Sequence, residues 1–112
     1  MAGNAPVALI TGGSRGIGRA AALALGQSGH TVVVGYKRDI DAAHDVQARL
    51  GQLGAQATVA RIDLEQPSDI TAALRAIGED HGRLDVLVAN AAATALNRSW
   101  PSGRIIWPER WR

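Results

Sequence analysis

The stretch Val7-Ala8-Leu9-Ile10-Thr11-Gly12-Gly13-Ser14-Arg15-Gly16-Ile17-Gly18 constrains this chain more than any other. A short apolar run breaks into a glycine-rich turn, and the turn opens straight into a helical pattern. A strand carries such a turn to one edge of a sheet. Gly12, Gly16 and Gly18 then let the backbone curl tightly, approach a ligand closely and pack helix against strand. The first helical N–H groups, backed by the positive end of the helix dipole, make an anion site suited to a pyrophosphate. A helix start that needs glycine only for packing is the competing explanation, so the rest of the chain has to decide.

Downstream, the apolar pattern alternates between two periods. Val7–Thr11 predicts a buried strand and Ile17–Ser28 a helix, with Ile17, Ala21, Ala24, Leu25 and Ser28 on one face and Gly29 as the stop. Thr31–Tyr36 is brief and β-branched, a second strand. Ala43, Val46, Leu50 and Leu53 step by three and four through a second helix over 39–53, ending at Gly54. Gln56–Ile62 predicts a third strand. Pro67 and Ser68 open a third helix, Ser68 as its cap and Asp69 in its first turn, with Ile70, Leu74 and Ile77 buried and Gly82 closing it. Asp85–Ala89 predicts a fourth strand. This alternation implies an α/β fold of the doubly wound kind, a partial Rossmann fold. We expect a parallel sheet in strand order 3-2-1-4, the first two helices on one face and the third on the other. The order reverses between the first and fourth strands, and ligands of such sheets bind there, outside the carboxyl ends.

The glycine spacing is G-x-x-x-G-x-G, neither the commoner G-x-G-x-x-G nor a P-loop, which needs Gly-Lys-Ser/Thr. Two further motifs stand in register with it. Asp63-Leu64 follows the third strand, and Leu87-Val88-Ala89-Asn90-Ala91-Ala92 spans the end of the fourth. Together the three resemble the short-chain dehydrogenase/reductase family over residues 6 to about 95, with 3-oxoacyl-[acyl-carrier-protein] reductases the nearest flavour. The resemblance implies that Gly12, Ser14, Arg15, Gly16, Ile17 and Gly18 hold the pyrophosphate and adenosine ribose. It implies that Asp63 and Leu64 meet the adenine, and that Asn90, Ala91 and Ala92 floor the nicotinamide ribose. Where the family usually has Asn-Asn-Ala-Gly, this chain has alanine at 89 and 92, a mild departure. Read without the family, Asp63 is an ordinary capping or solvated carboxylate.

An NAD enzyme usually places an acid at the end of the second strand, on the ribose hydroxyls. Here that place holds Tyr36, followed by Lys37 and Arg38, with Arg15 in the turn nearby. A 2′-phosphate would meet cations instead of a carboxylate, and arginine can grip it bidentately. The expected cofactor is therefore NADP rather than NAD. Lys37 and Arg38 as a solvated loop pair is the alternative.

The family's acid/base set, a serine and a Tyr-x-x-x-Lys, follows the fourth strand. This chain has one tyrosine, Tyr36, and one lysine, Lys37, and they are adjacent, so no Tyr-x-x-x-Lys occurs in it. No catalytic residue and no metal ligand is assigned. The substrate stays unnamed, because the residues that shape its pocket in the family are not in the sequence. The family is usually homo-oligomeric, but its interface helices are missing here.

Composition adds one observation when divided along the chain. Residues 1–93 hold eight Lys or Arg against nine Asp or Glu, and residues 94–112 hold four Arg against Glu109 alone. All three tryptophans, Trp100, Trp107 and Trp111, lie in that basic end. We expect two parts: a truncated NAD(P)-binding domain over 1–96 and an irregular tail over 97–112. A frameshifted or truncated reductase gene would give such a change; a native disordered terminus is the other explanation. Nucleic acid is not an expected partner. With no cysteine, no signal-like start and no bilayer-length apolar run, a cytoplasmic protein without membrane contact is expected.

Overall fold

A computed structural model describes residues 5–90. Seven elements alternate along them: β1 (Val7–Thr11), α1 (Gly16–Gln27), β2 (Thr31–Tyr36), α2 (Ile40–Gln52), β3 (Ala57–Arg61), α3 (Pro67–His81) and β4 (Val86–Ala89). The four strands form one parallel sheet in the order β3-β2-β1-β4. Fold, order and element count agree with the sequence reading, and boundaries move by one or two residues. The expected division at residue 96 lies outside the described residues, as do Ala91, Ala92 and the tail.

The sheet is central because β1 and β2 are apolar on both faces. All five residues of β1 are buried, and so are Thr31–Gly35 of β2. Alternation sorts them. Ala8, Ile10, Val32 and Val34 point to one side and pack with Ala22 of α1 and Ala43, Val46 and Leu50 of α2. Val7, Leu9 and Val33 point to the other and pack with Ile77, Ile70 and Leu74 of α3. Two helices on one face and the third on the other follow from the crossovers between parallel strands.

Three details differ from expectation. The buried stripe of α1 is Gly18, Ala22 and Gly26, not the face led by Ile17, which is 78% exposed. The bulky residues of α1 mislead because the helix approaches its neighbours through its smallest positions: a Cβ on Gly26 would run into Leu50 Cδ2 of α2. A mid-helix glycine costs about 1 kcal/mol relative to alanine; here it lets Leu50 bury completely. Leu53 is the C-cap residue of α2, past the last helical turn, and is 44% exposed instead of buried. Finally, α3 starts two residues earlier than a Ser68 cap requires. Gln66 is its N-cap without a side-chain bond, and Pro67 takes the first helical position, where its missing N–H costs nothing. The three helices do end beside the glycines expected, Gly29, Gly54 and Gly82, all left-handed. Among the described residues, no helix is long and apolar enough to cross a membrane.

Candidate functional site

The glycine turn leaves the carboxyl end of β1 between β2 and β4, at the point where the strand order reverses. Its shape is set by backbone contact. Gly12 and Gly16 have φ of 63° and 55°, the left-handed region that L side chains avoid. Gly12 also lies against the carbonyl oxygen of Asn90, which a Cβ would overlap. Gly18, in the first turn of α1, faces the Gly12 carbonyl, and its Cβ would stand 2.7 Å from Asn90 Nδ2. Nothing lies within 4 Å of the corresponding point on Gly16. The three glycines named from sequence thus do different work: two close-pack the turn on Asn90, and the third turns the chain where it is open to a ligand.

Asn90 is joined to the turn by hydrogen bonds as well. Its backbone N–H donates to Thr11 Oγ1 at 2.9 Å, and its Nδ2 donates to the Gly12 carbonyl at 3.4 Å. The Thr11 hydroxyl in turn donates to the Val88 carbonyl at 3.4 Å. Thr11 is 1% exposed, so its hydroxyl ties the ends of β1 and β4 together in a place water does not reach. On the other flank, Gly13 N–H donates to the Gly35 carbonyl at 2.8 Å, seating the turn on β2. A Cβ at Gly35 would come within 2.9 Å of the Ile10 carbonyl. Sequence spacing alone names neither Thr11 nor Gly35 as a site residue. A glycine inside a strand marks a close backbone approach, and that signal was available.

The charged rim is more tightly paired than the sequence suggests. Arg15 Nη2 donates to Asp39 Oδ2 at 2.7 Å. Asp39 is the N-cap of α2, its Oδ1 accepting the Ala42 N–H at 2.9 Å. That backbone bond first, and Arg15 second, hold the Asp39 carboxyl below its ordinary range. Lys37 Nζ lies 3.7 Å from Asp63 Oδ1. The residue expected at the 2′-phosphate and the one expected at the adenine therefore face each other across the ends of β2 and β3. Asp63 is held in place at both ends: its N–H donates to Asp69 Oδ2 at 3.0 Å and its Oδ1 accepts the Glu65 N–H at 2.9 Å. Arg38 is exposed, with no ion-pair partner among the described residues. Tyr36 is half-buried against the α1/α2 side of the core, and Leu64 packs on the α3 side. Ser14 is half-buried in the turn, and Ile17 stands exposed at the start of α1. Of the predicted set, Gly12, Gly18 and Asn90 pack on one another and Gly16 stands open in the same turn, with Arg15, Lys37, Arg38 and Asp63 along the rim.

Comparison with known proteins accords with this arrangement. A family model described as short chain dehydrogenase matches residues 6–102. A 1-cyclohexenylcarbonyl-CoA reductase of Streptomyces collinus is 45% identical over 89 residues, which are 80% of this chain and 32% of that protein. A 3-oxoacyl-[acyl-carrier-protein] reductase of Synechocystis is 39% identical over 90 residues, 80% of this chain and 36% of the relative. Among solved structures, a dehydrogenase/reductase from Sinorhizobium meliloti superposes with a TM-score of 0.75 at 37% identity, over 78% of this chain and 34% of its own. The chain thus spans about a third of the length of these relatives.

Proposed function

The chain belongs to the short-chain dehydrogenase/reductase family, and from that premise we propose that residues 5–90 are the cofactor-binding half of an NADP-dependent oxidoreductase acting on a carbonyl or alcohol. The observation that carries the cofactor reading is the turn itself. A Cβ at Gly12 or Gly18 would run into Asn90, while nothing lies within 4 Å of the point a Cβ would occupy on Gly16. That is the form of a cradle for a pyrophosphate, and the residues present fit the group.

Gly12 to Gly18 would hold the pyrophosphate through backbone N–H groups. Asp63, whose Oδ2 makes no hydrogen bond among the described residues, would accept from the adenine amino group, with Leu64 beside it. Asn90, followed by Ala91 and Ala92, would support the nicotinamide ribose. When bound, the nicotinamide supplies or takes the hydride. NADP is favoured over NAD because β2 ends at Tyr36 and is followed by Lys37 and Arg38 in place of an acid, with Arg15 within the same rim. A cytoplasmic location is part of the same proposal.

A second reading has its own support. Tyr36 and Lys37 are the only residues of their kinds in these 112 positions, so the stretch carries no Tyr-x-x-x-Lys to move the proton that accompanies the hydride. On that reading it binds the dinucleotide without turnover. Fluorescence titration of the full chain with NADPH and NADH tests the shared part, and NADPH is expected to bind more tightly. Equal affinities would remove the preference for NADP, and absence of binding by both would remove the site. NADPH consumption with a panel of ketones and 3-oxoacyl thioesters separates the two readings.

A further inference from the structure

Asp39 has no part in the cofactor reading above, yet it is the residue that engages the nearest cation. Arg15 closes the glycine turn as the N-cap residue of α1, and Asp39 is the N-cap of α2. The two helices pack on the same face of the sheet, so the 2.7 Å ion pair bridges their starts above the carboxyl ends of β1 and β2. Both oxygens of Asp39 are used, Oδ1 by Ala42 N–H and Oδ2 by Arg15 Nη2. The cap fixes the carboxylate, so it holds Arg15 from a set position rather than following it.

We propose that Asp39 is a specificity-determining residue that weakens the preference for NADP over NAD by competing with the 2′-phosphate for Arg15. The inference rests on the NADP reading. A phosphate monoester carries nearly two negative charges at neutral pH. To use Arg15 it must either take Nη2 from Asp39 or bind the remaining guanidinium donors with the carboxylate alongside. Asp39 opposes it in both cases. A 2′-hydroxyl meets no such opposition and can itself donate to a carboxylate. The rim therefore contains a cation that attracts the phosphate and an anion that discounts it, separated by one hydrogen bond. Arg38 is the rim cation with no carboxylate on it among the described residues, so its share of the preference is not discounted in this way.

Asp39→Asn and Asp39→Ser in the full chain test this, since both keep an oxygen that caps α2. Titrations with NADPH and NADH at low and high salt give the readout, with circular dichroism checking the fold. In both variants the Kd for NADPH is expected to fall about threefold to tenfold, the span for one surface carboxylate acting on a phosphate of nearly two charges. The Kd for NADH stays level or rises, and the gain for NADPH shrinks at high salt. In an Arg15→Gln background the same substitutions should no longer tighten NADPH. Folded variants that bind NADPH unchanged overturn the proposal. Weaker NADPH binding also overturns it, and would mean that Asp39 holds Arg15 in place for the phosphate. Arg15→Gln in the otherwise unaltered chain is read separately: if it leaves the NADPH-to-NADH ratio as it was, Arg15 takes no part in the choice and the NADP reading itself loses support, whatever Asp39 does.

Discussion

Replacing Gly12 and Gly16 by alanine, one at a time, separates two costs that the glycine turn combines. Both residues have nearly the same left-handed φ, 63° and 55°, so both substitutions carry the strain of an L side chain there, about 1–2 kcal/mol. They differ in space. At Gly16 the new methyl meets nothing within 4 Å, and the strain is the whole cost. At Gly12 it meets the backbone carbonyl of Asn90, which no rotamer change can move. The end of β4 must shift, and the 2.9 Å bond from Asn90 N–H to Thr11 Oγ1 stretches with it. Overpacking of this kind adds about 1–3 kcal/mol. Gly12→Ala is therefore expected to lose roughly 2 kcal/mol more than Gly16→Ala, or about 8–16 °C in Tm for a domain of this size. Thermal unfolding by circular dichroism measures the gap. If the two variants melt together, the contact with Asn90 contributes nothing to holding the turn, and the account of the site as a cradle packed on β4 is wrong.

Other perturbations probe separate parts of the frame. Thr11→Val keeps the shape of a buried residue but removes the acceptor for Asn90 N–H; a loss of about 1–3 kcal/mol is expected in denaturant unfolding, with weaker dinucleotide binding. Gly26→Ala gains helix propensity yet pushes on Leu50 Cδ2, so it should destabilise by about 1–3 kcal/mol, whereas Gly51→Ala, with nothing near its Cβ, should stabilise slightly. Asp85 is held below its ordinary carboxyl range first by Arg83 and then by the Val7 N–H, which donates to its Oδ2 at 2.8 Å. A lowered folded-state value stabilises fully above the ordinary one of 3.8 and is lost as pH falls through the folded value. The Tm difference between the parent chain and Asp85→Asn should hold steady well above the ordinary value of 3.8 and shrink as pH falls below it.

The elements and their order were legible because each signal was local. Val7–Thr11 is apolar without a break, α2 steps by threes and fours, and Pro67 and Gly82 bracket α3. Strand order followed from crossover rules and the resemblance together. What escaped the sequence was pairing at a distance. The helical pattern of α1 highlights its bulky residues, but the surface that meets the sheet and α2 is Gly18, Ala22 and Gly26, chosen by how closely other elements approach. Asp39 reads as one more acid at a helix start, and only the fold shows Arg15 folded back onto it across 24 positions. Lys37 and Asp63 are likewise 26 residues apart in sequence and carry separate expected roles, because nothing local says that the ends of β2 and β3 bring their charges within 3.7 Å. Gly12, Gly16 and Gly18 could be named from spacing alone, but their division between packing and openness depends on where Asn90 lies.

The tie between Thr11 and Asn90 also fixes when the site comes into being during folding. β1 finds β2 early, since their paired residues are 24 positions apart, as Val7 and Thr31 are. The bond from Asn90 to Thr11 closes a loop of 79 residues. Contacts that distant are the late ones, because the chain entropy of closing them is met before they return anything. A chain with β1, β2 and β3 assembled has the glycine turn but not the floor beneath it. Dinucleotide affinity is then a reporter of β4 docking, and the ligand, by binding only the finished form, draws the last strand into the sheet by mass action.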